Sequence, residues 1–98
     1  MANITLNRTL EHMAWANTQM FTVLTALPVD ALAFTSPGSE WSVGAITHHL
    51  VAAAENYAQR LHGEPRAEKR ELPTTIADLA ALAAAVKVAD AKLLAGAQ

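Results

Sequence analysis

The chain has 98 residues, a formal net charge of −2 and no cysteine. Its length bounds it to one small domain, 1–98, and the missing thiols exclude disulfides and thiolate metal ligands. Seven Lys and Arg stand against nine Asp and Glu with no basic cluster on any face, which argues against a nucleic-acid partner.

Twenty-two residues are Ala and five are aromatic. This favours helix, because Ala loses no side-chain entropy there, but it supplies few large core formers. Such a domain is marginal unless it dimerises or binds a ligand. The start M-A-N-I-T-L-N-R has no charged region followed by an apolar one, so a cytoplasmic protein is the default. The most apolar stretch, near the C-terminal end, is interrupted by Asp78, Lys87, Asp90 and Lys92, so no membrane span is expected.

The first helix is expected over about residues 4–27, with Asn3 as N-cap and Pro28 as its stop. Leu6, Leu10, Met13, Met20, Leu24 and Leu27 recur at three- and four-residue spacing and make one stripe. Asn17 falls within that stripe, where a polar group must find a partner. Two readings stay open for it: a register-setting core amide or a pocket residue beside a metal. Trp15 lies opposite, where a lone Trp calls for cover by a loop or a subunit. His12 is off the stripe and reads as a solvated or interface residue rather than a ligand.

Pro28–Glu40 is a connector, long for a helix–helix link. P-V-D-A-L suits one helical turn, S-P-G-S breaks it, and Phe34 is the expected anchor. The second helix is expected over about 43–62. Ser42 is its N-cap, Trp41 and Ile46 stand where a hydrophobic staple would be, and Gly63 followed by Pro65 ends it. Its expected stripe is Val43, Ile46, Leu50, Ala53, Tyr57 and Leu61. His62 in the last turn suits the negative end of the helix dipole.

Glu64–Glu71 mixes both charge signs and reads as a solvated connector. The third helix is expected over about 76–95, opened by Thr75 and Asp78 as a capping box. Leu79, Leu82, Val86 and Leu93 form its stripe, with much of the remaining surface Ala. A helix with so thin a polar face is normally covered on more than one side. The expected architecture is therefore an all-α up-and-down bundle of three long helices. A fourth helix is expected either from another subunit or beyond Gln98.

The chemistry-bearing pair is His48–His49. One residue turns a helix by about 100°, so two adjacent imidazoles diverge. His48 is expected opposite the Ile46–Leu50–Tyr57 stripe, in solvent. His49 is expected on the stripe's flank, where bundle metal sites are built. The same-helix spacings that chelate one ion, H-x-x-H, H-x-x-x-H and E-x-x-H, do not occur.

The elements H-M-A-W-A-N and E-W-S-V-G-A-I-T-H-H-L-V-A-A-A-E-N-Y-A-Q-R-L-H-G resemble the DinB-like family over roughly Leu10–Gly63, and T-T-I-A-D-L more weakly. The resemblance implies a four-helix bundle, often dimeric, holding a divalent metal on three His. One ligand comes from a His-Leu element of the second helix. His49 precedes Leu50, so the carry-over lands on His49. The other two ligands usually come from an H-x-x-x-H on the last helix, which this sequence lacks. Zinc or nickel is thus implied for a complete form but is not expected to be held tightly by this chain, since catalytic zinc sites use three protein ligands.

Relatives include thiol-dependent transferases using bacillithiol, mycothiol or glutathione, and a mycothiol-dependent maleylpyruvate isomerase. They imply a small thiol as substrate, bound as thiolate on the metal. The free nitrogen of His49 would need an acceptor, for which the Asn17 amide oxygen or Glu55 can be named, although Glu55 projects with His48. The sequence leaves open whether the chain is such an enzyme or a non-enzymatic helical module that dimerises through Trp15 and the Ala-rich third helix.

Overall fold

A computed structural model describes residues 4–65 and 70–97. It contains α1 (Ile4–Thr25), α2 (Val43–Leu61) and α3 (Ile76–Ala97), with a 3-10 turn over Val29–Ala33 between the first two. The all-α expectation holds. The only pairing of extended backbone among the described residues is an isolated bridge, Thr35 with Ser42. No helix among them is long and apolar enough to cross a membrane. The proposed Asn3 cap and much of the charged connector lie outside the described residues.

The helix ends follow local chemistry. Ser42 Oγ accepts from the Ala45 N–H at 3.1 Å, an N-cap bond that satisfies one free amide of the first turn. At the other end of α2, Gly63 adopts φ +67°. Its N–H reaches the Arg60 carbonyl while the Glu64 N–H reaches that of Gln59, the paired bonds of a Schellman ending. Thr75 and Asp78 exchange bonds as a capping box: the Asp78 N–H donates to Thr75 Oγ1 at 3.0 Å and the Thr75 N–H to Asp78 Oδ2 at 3.2 Å. The Thr74 N–H joins them at 3.0 Å. These bonds, the Thr74 amide first, hold the Asp78 carboxyl below its usual range.

The path of the chain differs from the expected up-and-down order. α1 runs antiparallel to α3: Asn17 meets Asp90, and Thr25 shares a cleft with Ala80. α2 and α3, however, run parallel. The Pro73 carbonyl, just before α3, lies beside Gly44 at the start of α2, and Leu61 at the end of α2 lies beside Gly96. By Arg70 the chain is back beside α2, where the Arg70 carbonyl meets His48 Nε2 at 2.7 Å and the guanidinium pairs with Glu55.

α3 is the central helix. It packs against both α1 and α2, while α1 and α2 barely touch. Its Leu79, Leu82 and Val86 join Phe21, Leu32 and Val51 in the buried core. The two-sided cover expected from its thin polar face is supplied by α1 and α2, which explains why α3 carries Ala there. The expected anchor Phe34 is 63% exposed, and Leu32 fills the core instead. The 3-10 turn sets this outcome by directing Leu32 inward one residue before it closes at Ala33.

Candidate functional site

α2 has two apolar faces, and the structure buries the one made of small residues. Gly44, Thr47, Val51 and Ala58 face inward. Close approach selects them: a Cβ on Gly44 would stand 3.3 Å from the Leu32 carbonyl and 3.5 Å from that of Pro73. Thr47 is compatible with burial because its hydroxyl donates to the Gly44 carbonyl at 2.9 Å. Much of the expected stripe is consequently turned outward. Ile46, Tyr57 and Leu61 are each at least half exposed, while Val43 and Leu50 pack against the core edge.

The His pair is placed accordingly. His48 was expected in solvent but is half-buried beneath the returning connector, against the Arg70 carbonyl. The cause is the parallel run of α2 and α3, which lays that connector over its side of the helix. His49 stands two residues from both Thr47 and Val51, a rotation of about 200° from each. It is exposed, beside the open stripe. Its ring meets the Trp41 ring edge to face, with centroids 5.3 Å apart and planes at 77°.

Neither acceptor named for His49 is bonded to it. Glu55 is taken by Arg70. Asn17 Nδ2 donates to Asp90 Oδ2 on α3 at 3.0 Å, so of its two readings the structure supports the core amide. The rings of His12 and Trp15 meet at a tilt of 31° on the outer side of α1, with centroids 5.6 Å apart, and Trp15 stays 60% exposed. His62 closes the C-terminal end of α2. Its Nε2 meets the Lys92 carbonyl at 2.8 Å, and Lys92 Nζ reaches Glu64 at 2.7 Å.

Asp90 is the residue that the sequence reading passed over. It is only 2% exposed, and its Oδ1 has no hydrogen-bond partner among the described residues. Burial pushes its carboxyl above the usual range, partly offset by the bond from Asn17. Its position was visible in the spacing, because Val86, Asp90 and Leu93 continue the α3 stripe at four and three residues.

Beside this pair, an open cleft of about 320 Å³ runs between α1 and α3, bordered by Asn17, Thr18, Thr22, Ala83, Ala84 and Lys87. Thr18 and Thr22 donate to carbonyls one turn back on their own helix. No α2 residue lines this cleft, so it is separate from His49.

The metal implied by the resemblance needs several donors converging on one point. Among the described residues, no group of three His, Cys, Asp or Glu side chains lies close enough to hold an ion. The described residues do not fit a complete metal site, and His49 stands as a lone donor at the edge of an open apolar face.

No curated protein and no solved structure matches the chain. The sequence model of the DinB superfamily matches residues 9–97. That span runs from the first turns of α1 through α3, well beyond the elements from Leu10 to Gly63 that carry the resemblance. The chain belongs to the DinB superfamily.

Proposed function

We propose that this chain contributes to a divalent-metal protein, zinc or nickel being the candidate ions, in which His49 is one donor. The remaining donors come from an element that covers the open face of α2, either in a second copy of the chain or in a further helix. One observation carries the reading. His49 presents an exposed imidazole on the outward side of the helix that also carries exposed Ile46, Tyr57 and Leu61, where a packed helix would exclude water from a bound ion. In this proposal the substrate class is a small thiol, on the strength of the family relatives that act on thiols. Asn17 and His12 take no part.

Zinc or nickel titration, with metal content measured after dialysis, tests this directly. The chain alone should retain no stoichiometric ion, and tight retention would sink the claim that donors are missing. Weak binding should fall about tenfold or more in His49→Ala and stay unchanged in His48→Ala, in line with the loss of a metal-site contact. Equal effects of the two substitutions would refute the assignment.

The second reading is a non-enzymatic interaction module. The same exposed face favours it, because apolar side chains of this size left uncovered mark association surfaces. The two readings part on one measurement: the module associates equally well with and without His49.

A further inference from the structure

The cleft between α1 and α3 is chemically one-sided. Its α1 wall is Asn17, Thr18, Phe21, Thr22 and Thr25, and its α3 wall is mainly alanine, with Val86 and Lys87. Each threonine hydroxyl gives its hydrogen to α1 itself. Thr18 donates to the Ala14 carbonyl at 3.0 Å, Thr22 to that of Thr18 and Thr25 to that of Phe21, both at 2.8 Å. A hydroxyl that has donated keeps only acceptor capacity. The Asn17 amide is committed in the same way, since Nδ2 donates to Asp90 Oδ2 at 3.0 Å, which leaves Oδ1 as an acceptor. The side chains of the walls thus offer oxygen lone pairs, and Lys87 is the lining residue that still has hydrogens to give.

Asp90 stands behind Asn17. It is 2% exposed, and its Oδ1 has no partner among the described residues. The ion pairs among those residues join Arg70 to Glu55 and Lys92 to Glu64, and neither takes in Asp90 or Lys87. A buried carboxylate held by one neutral amide lacks both a counter-charge and further donors. Asp90 lies three residues beyond Lys87 on α3, within a turn. The antiparallel run puts Asn17 at this same end of the cleft, with Thr25 and Ala80 at the other. An unneutralised acid and an unpaired ammonium therefore sit together at one end, and the rest of the cleft is small and apolar.

We propose that this cleft binds a free α-amino acid with an aliphatic side chain. The ligand's ammonium donates to Asn17 Oδ1 and gives Asp90 its counter-charge, its carboxylate pairs with Lys87, and its side chain lies against Phe21, Ala80, Ala83 and Ala84. An α-amino acid carries its two charges one carbon apart, which matches their complements at one end of the cleft. A simple amine would meet the Lys87 ammonium uncompensated, and a simple carboxylate would meet Asp90. The volume of about 320 Å³ lies at the small end of ligand sites. Since no α2 residue lines the cleft, the proposal stands apart from any role of His49.

The test is a titration of the isotope-labelled full chain with L-leucine, followed by heteronuclear NMR. The side-chain amide of Asn17 and the backbone amides of Thr22, Ala83 and Lys87 should shift saturably, while those of α2 stay in place. Isocaproate, which lacks the amino group, and isoamylamine, which lacks the carboxylate, should each bind about tenfold or more weakly, the loss expected for one charge-assisted contact. Asp90→Asn should weaken leucine by a similar factor and leave isocaproate no weaker than before. Absence of a saturable shift in the wild type would overturn the proposal. So would isocaproate binding as tightly as leucine, a comparison made on the wild-type chain that holds even if the variant fails to fold.

Discussion

Asp90 shows how one side chain sets a pH dependence. Its carboxyl titrates above the ordinary value of 3.8 because it is desolvated between α1 and α3. An acid whose folded pKa is raised binds its proton more tightly when folded, so stability is greatest below about 3.8 and declines as pH rises through the raised value. Asp78 and Glu64 act in the opposite sense. Their carboxyls are depressed, Asp78 by the Thr74 amide and Glu64 by Lys92, so the stability they add disappears only in stronger acid. Above about pH 4 the decline therefore belongs to Asp90 among these three. Asp90→Asn keeps a carbonyl oxygen for Asn17 and removes the charge. It should raise the melting temperature at neutral pH and flatten the curve over that window. A variant no more stable than wild type, with the same slope, would show that the carboxylate is not under strain. The sequence made Asp90 look like one of four charges breaking up an apolar helix, because composition alone does not show which side of α3 is covered.

At the level of the elements, features that depend on neighbours in sequence were legible, and those that depend on distant ones were not. Ser42, Gly63 and the Thr75–Asp78 pair act within a turn of themselves, and each does what its residue type implies. Ser42→Ala should cost about 1 kcal/mol in denaturant unfolding, the usual value for a lost N-cap bond. The inward face of α2 was not legible, since that helix offers two apolar stripes and large side chains normally win the core. Here the small one wins because the 3-10 turn and the Pro73 segment both press on its first turn. Gly44→Ala checks this point. A new Cβ would crowd the Leu32 carbonyl at 3.3 Å and only touch Pro73 at 3.5 and 3.6 Å, so the overpacking cost, partly offset by the better helix propensity of Ala, should leave a small net loss of no more than about 1 kcal/mol. An unchanged midpoint would mean that α2 is free to slide outward. His48 was misplaced for a related reason: its partner, the Arg70 carbonyl, arrives only because the connector doubles back.

For the whole molecule, the described part measures 46 × 27 × 27 Å, and α2 leaves much of an apolar stripe without cover. Light scattering should therefore report a dimer or larger. Ile46→Glu should shift the population toward monomer while the helical circular dichroism is kept. A well-folded wild-type monomer would argue against association through this face. The helical class and the family were readable from the sequence because both rest on local pattern. The parallel pairing of α2 with α3 was not, because matched helix lengths suit either direction. That pairing bears on how the chain acquires its structure. With α1 and α2 barely touching, those two helices have little to dock on each other, although the 3-10 turn packs against α2. The central helix follows both of them in the order of synthesis, and it holds the surfaces that they require. A growing polypeptide at the ribosome would then carry two helical segments with their apolar sides unsatisfied until α3 emerges. Partial folding should bring little protection, and final assembly should come as one late, cooperative event rather than helix by helix.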